Sequence, residues 1–126
     1  MSAKKKKPMT LAKIQPHFNR MIRERDSEDG YFVCISCGKT KPVSEMNAGH
    51  YVPVKMSSFL RLHPWNVNGE CQSCNGFDEM HLLGYRERLI EKIGLENVLW
   101  LEENKRTVAK YTQSELRELY EKYKNA

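Results

Sequence analysis

Apolar residues recur with a helical period at both ends of the chain, and shorter strand-like runs lie between. Leu11, Ile14, Phe18, Met21 and Ile22 fall three or four apart, which predicts an amphipathic helix over residues 11–25. Arg20, Arg23 and Arg25 gather toward its end, where the helix dipole favours cations. Pro16 suits a first turn, so the regular helix is expected to begin near Gln15. A polar turn over 26–30 leads into a short strand, Tyr31-Phe32-Val33. Residues 39–45 read as a loop turning at Pro42, 46–54 as a β-ribbon, 55–63 as a polar stretch and 65–67 as extended chain. A helix is expected over 75–93 with Leu82, Leu83, Leu89, Ile90 and Ile93 on its apolar side. Gly84 lies inside it, a residue that weakens helices, and Gly94 stands where helices stop. Residues 98–101 form an apolar patch, either a strand or a turn of helix. Thr112-Gln-Ser-Glu115 has the form of a capping box, and Leu116, Leu119, Tyr120 and Tyr123 make one stripe behind it.

The fold class expected is α+β, a small zinc-bound core flanked by N- and C-terminal helices. The chain has 126 residues, enough for one domain over 11–126, with its core at 31–93 and a helical extension at 94–126. The lysine run Lys4–Lys7 marks residues 1–10 as a disordered basic tail. With 40% hydrophobic and 29% charged residues and no apolar run of membrane length, no membrane span is expected. No apolar segment follows the basic start as a secretory signal would require, so a cytoplasmic protein is expected. The net charge of +5 is uneven: residues 1–77 carry 12 Lys/Arg against 6 Asp/Glu, and residues 78–126 carry 9 against 10. A basic front half favours an anionic partner, nucleic acid first.

All four cysteines fall into two CxxC pairs, Cys34/Cys37 and Cys71/Cys74. In a reducing compartment such pairs point to one tetrahedral Zn²⁺ held by four thiolates. A core of this size rarely supplies more than about 3–5 kcal/mol, whereas a structural zinc contributes roughly 10–16 kcal/mol of apparent binding energy. Four thiolates also close the coordination sphere, so this zinc is expected to be structural and not catalytic.

Inside the clip stand Ala48-Gly49-His50-Tyr51 and Trp65-Asn66, and Asn75 follows the last cysteine. Phosphodiester cleavage needs an activated water and a cation for the developing charge. His50 can take the water's proton. Asn66 can bond the imidazole or its supporting backbone. Asn75 offers an amide oxygen to a hard cation such as Mg²⁺ or Mn²⁺. Lys55, Arg61, Arg86 and Arg88 are the residues expected to contact phosphate, and Trp65 and Trp100 are expected in the core.

These motifs, with Tyr85-Arg86, Ile93-Gly94-Leu95-Glu96 and Lys110-Tyr111-Thr112, resemble the NinG/Rap recombination proteins of lambdoid phages, over about residues 11–124. The resemblance implies a ββα-metal (His-Me finger, HNH) endonuclease, phage or prophage encoded and active in a bacterial host on branched DNA. It implies His50 as general base, Asn75 as a ligand of the catalytic cation, Asn66 as the central Asn of HNH, and products with a 5′-phosphate and a 3′-hydroxyl.

One position departs from that pattern. HNH enzymes place an Asp or His before the base, and here that residue is Gly49. Asn47, on the same strand face, and Glu79, one helical turn beyond Asn75, are the substitutes considered, with Asp78 and His81 nearby. The gap keeps a second reading open, a zinc-ribbon DNA-binding recombination accessory without catalysis. A third is a structural zinc protein that binds a protein partner through its last helix. The stripe at 116–123 could serve a homodimer or pack on its own core.

Overall fold

The computed structural model describes residues 7–75 and 81–126. Among them the chain runs α1 (Leu11–Asp26), β1 (Ser27–Glu28), β2 (Tyr31–Val33), β3 (Thr40–Pro42), a 3₁₀ turn (Val43–Glu45), β4 (Met46–His50), β5 (Val67–Cys71), α2 (His81–Ile93), α3 (Leu95–Glu103) and α4 (Gln113–Lys124). The expected α+β class holds, with two small antiparallel sheets, β1-β2-β3 and β4-β5.

Helix α1 begins earlier than Pro16 suggests. Thr10 caps it, its side chain accepting from the Lys13 amide at 3.3 Å, and Pro16 lies within the helix. The lost hydrogen bond is tolerated because Ile14, Phe18 and Ile22 are buried, which fixes this helix by tertiary packing. Pro8 and Met9 are tied down as well: Lys13 Nζ donates to Pro8 O, and Met9 and Gln113 exchange two hydrogen bonds. Of the residues expected in a tail over 1–10, Pro8 and Met9 are thus held to the fold, and the first six lie outside the described ones.

The stripe of α4 is spent inside the chain. Leu116 and Tyr123 join Ile14, Phe18, Ile22, Leu62 and Val67 in one core, with the Phe18 and Tyr123 rings edge to face at 4.9 Å. Of the two uses expected for this stripe, the one seen in the chain is packing on its own core. Thr112 and Glu115 form the expected capping box. Residues 98–101 are helical, part of α3, and the loop expected over 39–45 contains β3 and the 3₁₀ turn.

The helix expected over 75–93 is described from His81, and its first residues lie outside the described ones. Its buried face is Tyr85 and Leu89, whereas Leu82 and Leu83 are exposed. Gly84 does not break it. A Cβ there would overlap the Ser36 carbonyl oxygen, so the glycine lets α2 lie directly on the first CxxC turn. A second core joins Tyr85, Leu89, Val98, Leu101, Leu60, Val52 and Ile35.

The ribbon β4-β5 holds the middle of the molecule. Met46 pairs with Cys71, Asn47 with Glu70, Ala48 with Gly69, Gly49 with Asn68 and His50 with Val67. Alternation therefore puts Ala48, His50 and Val67 on one face, toward α1, and Asn47, Gly49, Asn68 and Glu70 on the other. On that second face Tyr85 of α2 donates its hydroxyl to Gly49 O at 2.7 Å.

Candidate functional site

The four cysteines are free thiols whose sulfurs all lie within 4.8 Å of one another, with Cys37 and Cys71 at 4.0 Å. A tetrahedron with metal–sulfur bonds of about 2.3 Å has edges of about 3.8 Å, so the cluster could hold a metal ion such as zinc. The turn that presents it follows from sequence: Gly38, at φ +74°, donates to Cys34 O at 2.8 Å, and the amides of Cys37 and Cys71 point at Cys34 Sγ. Phe32 and Met46 seal the cluster from behind.

His50 ends β4 on the α1 face. Its Nε2 lies 2.9 Å from Arg61 O. A carbonyl only accepts, so Nε2 carries the proton and Nδ1 presents a lone pair. Nδ1 has no partner among the described residues, and among them no buried side-chain nitrogen or oxygen is left unpartnered, so solvent reaches it. Burial lowers the imidazole's pKa below its ordinary value, and the Arg61 guanidinium adds to this, outweighing the Arg61 carbonyl bond. The ring is therefore neutral at pH 7, as a proton acceptor must be.

Asn66 is fully buried and does not touch that ring. Its Oδ1 accepts from the Val52 amide at 2.8 Å, and its Nδ2 donates to Val52 O and Leu60 O at 3.0 and 3.1 Å. With the Tyr51 amide donating to Asn66 O, it pins the chain leaving His50, the backbone-supporting alternative of its two expected roles.

Asn75 stands at the other end of the ribbon. Its amide donates to Cys71 O at 2.9 Å, and Cys71 faces Met46, four residues before His50. Four residues of strand span roughly 13 Å, so the ribbon separates the expected base from the expected amide ligand. Glu79 and Asp78 lie outside the described residues. Asn47 faces away from α1 beside Glu70, half-buried.

Three of the expected phosphate contacts are engaged within the chain. Arg86 makes a two-pronged pair with Glu102 at 2.8 and 3.1 Å, which also accepts from the Tyr51 hydroxyl. Arg88 donates to Ser36 O at 2.7 Å, and Arg61 Nε donates to Gln15 at 2.7 Å. Arg86 and Arg88 serve first to dock α2 on α3 and on the metal turn. Lys55 is exposed. Trp65 and Trp100 pack half-buried with His63 and Phe59.

Two features beside the expected residues hold the ribbon. Asp26 accepts from Arg25, Lys92 and the Gly69 amide, which together lower its pKa although burial acts to raise it. Arg25 and Lys92 also bond Asn68 Oδ1, latching α1 and α2 to β5. A cleft of about 570 Å³ opens beside this latch, lined by Asp26, Gly38, Asn68, Arg88, Glu91 and Lys92, away from His50. The second feature is Glu70, a buried carboxylate on the Gly49 face that sequence reasoning passed over. Its signal was the alternation Asn68-Gly69-Glu70, which pairs Glu70 with Asn47.

The fold and site define a small α+β protein built round a four-cysteine cluster that could hold a metal ion, with a histidine at the far end of its ribbon. The chain matches the family model "NinG: Bacteriophage Lambda NinG protein" over residues 1–126. It is 34% identical to Protein ninG of Escherichia phage 933W over 113 residues, 90% of this chain and 54% of that protein. To Protein ninG of Escherichia phage lambda it is 36% identical over 94 residues, 75% and 44% of the two chains. To that of Salmonella phage P22 it is 36% identical over 88 residues, 70% and 41%. The chain belongs to the NinG family of phage proteins, and spans about half the length of the curated relatives it matches. No solved structure matches it. Among the described residues no helix is long and apolar enough to cross a membrane.

Proposed function

We propose that this chain is a zinc-clipped, metal-dependent DNA endonuclease of the ββα-metal type that cuts branched recombination intermediates. The observation that carries it is the His50 tautomer: Nε2–H is fixed on Arg61 O, which leaves a neutral, solvent-reachable Nδ1 as base. The order ribbon then α2 agrees with this layout, the zinc clip setting the ribbon's register.

In this mechanism His50 Nδ1 takes a proton from the attacking water while the Arg61 carbonyl holds the ring, and Asn66 keeps the chain after His50 in place. A divalent cation, when bound, stabilises the charge developing on the phosphate and the leaving oxygen. Oxygen donors on the Gly49 face, Asn47 among them, suit a hard cation. The products carry a 5′-phosphate and a 3′-hydroxyl. Lys55 and the lysine run Lys4–Lys7 supply sequence-independent attraction to DNA, which fades with salt.

The test is cleavage of junction, flap and linear DNA with Mg²⁺ or Mn²⁺. His50→Ala is expected to cut branched DNA about 10²–10⁴-fold more slowly than the parent. Equal rates would reject the reading.

Gly49 favours a second reading, a zinc-ribbon DNA-binding accessory without catalysis. It predicts salt-sensitive binding and no nicks with any divalent cation.

A further inference from the structure

Position 49 has no side chain, yet its side-chain space is not empty. A Cβ built on Gly49 would overlap Glu70 Oε1 and come within 3.0 Å of Glu70 Cβ and 3.1 Å of Cδ. The carboxylate of β5 thus occupies the volume in which a side chain preceding His50 would begin. Ser36, on the metal turn, donates its hydroxyl to the other oxygen, Oε2, and so turns Oε1 toward Gly49.

Opposite Glu70 in the register stands Asn47, on the same face of the ribbon. Directly opposed residues of an antiparallel pair hold their Cβ atoms about 4.5–5.5 Å apart, within which a carboxylate and an amide oxygen can share one ion. The Asn47 side chain has no hydrogen-bond partner among the described residues and is not sealed from solvent. Buried carboxylate and wet amide together are hard oxygen donors, suited to Mg²⁺ or Mn²⁺ over softer metals.

We propose that Glu70, with Asn47, holds the divalent cation on the Gly49 face of the ribbon, its carboxylate taking the place of the one missing at Gly49. This rests on the endonuclease reading for its purpose, but the binding itself does not. The glycine is then required because any side chain at 49 would displace the carboxylate delivered from the opposite strand. Asn75, at the sulfur end of the ribbon, is not needed in this site.

Mn²⁺ binding to the zinc-loaded protein, followed by its electron paramagnetic signal, provides the test. Glu70→Gln keeps the shape and an acceptor for Ser36, and is expected to bind Mn²⁺ about 10–100-fold more weakly at unchanged zinc content. In the parent protein, Mn²⁺ is expected to broaden the amide resonances of Gly49 and Glu70 before that of Asn75, a result independent of how any variant folds. Glu70→Ala combined with Gly49→Asp returns the carboxylate to the preceding position and is expected to recover binding. Undiminished Mn²⁺ binding by Glu70→Gln, broadening centred on Asn75, or no Mn²⁺ binding by the parent would each overturn the proposal. A parent that binds Mn²⁺ at Glu70 but cuts no DNA would instead reject the endonuclease reading and leave this site standing.

Discussion

Asn66 grips Val52 by both ends of its backbone: the Val52 N–H donates to Oδ1 at 2.8 Å, and Nδ2 donates to Val52 O at 3.0 Å. This mimics one rung of a β-ladder with a side chain, at the point where β4 has ended and the chain turns away from its partner. The third bond, to Leu60 O, closes the loop of residues 51–66 on itself. Asn66→Ala leaves the buried Val52 N–H and Val52 carbonyl unpaired, while Leu60 O keeps the His63 amide. At about 1–3 kcal/mol for a group so stranded, with neighbours sharing part of the cost, a loss of about 3 kcal/mol is expected. Urea denaturation of the zinc-loaded variant measures it. A loss below about 1 kcal/mol would show that the loop rearranges around the change.

Gly84 offers a prediction in which two rules disagree in sign. In an exposed helix, Gly→Ala stabilises by about 1 kcal/mol. Here the new methyl group would meet the Ser36 carbonyl oxygen, a backbone atom held in turn by Arg88. Gly84→Ala is therefore expected to destabilise, by about 1–3 kcal/mol as overpacking does. Thermal unfolding decides it: a raised midpoint would mean that α2 does not rest on the metal turn as described.

Much of this was legible in the chain. The paired cysteines, the amphipathic first and last helices and the Thr112–Glu115 box are local signals, and local physics decides them. What sequence hid depends on pairing. Whether residues 116–123 face a partner or α1 is settled by packing on Phe18 and Ile22, many residues away. Asn75 looks close to His50 because both lie within the clip, yet the register Met46↔Cys71 sends them to opposite ends of the ribbon. Glu70 draws no role from the sequence, because only the ribbon's register sets Asn47 across from it and Gly49 beside it. Arg86 and Arg88 read as DNA contacts because nothing local shows Glu102 or Ser36 waiting for them.

Metal removal should report on the whole fold. The third core consists of Phe32, Met46 and the cysteines themselves, so without an ion it contains four thiols and little apolar surface. Chelation, or Cys74→Ser, is expected to abolish the near-ultraviolet circular dichroism of the tryptophans and the cooperative unfolding transition. One zinc per chain should restore both. A metal-free protein with an unchanged transition would show that the sulfurs are not its staple.

The last prediction concerns pH, where two windows follow from opposite kinds of group. His50 and His63 are both held below their ordinary imidazole range, chiefly by burial. Unfolded, they take up protons near pH 6.5, which the folded protein resists. Stability is therefore full above about pH 7 and falls as pH drops through about 6.5 toward the folded values. Asp26 behaves differently: Arg25, the Gly69 amide and Lys92 hold its carboxyl below 3.8 despite burial. Its contribution is present above about pH 4 and is lost only as pH falls through the lower, folded value. Loss of metal in acid adds a further decline, so the measurement compares the parent with His50→Gln/His63→Gln. Denaturation midpoints of the double variant should fall less between about pH 7 and about pH 5, and equally with the parent below about pH 4. Parallel curves over the upper window would mean that neither imidazole is shielded from protons in the folded state.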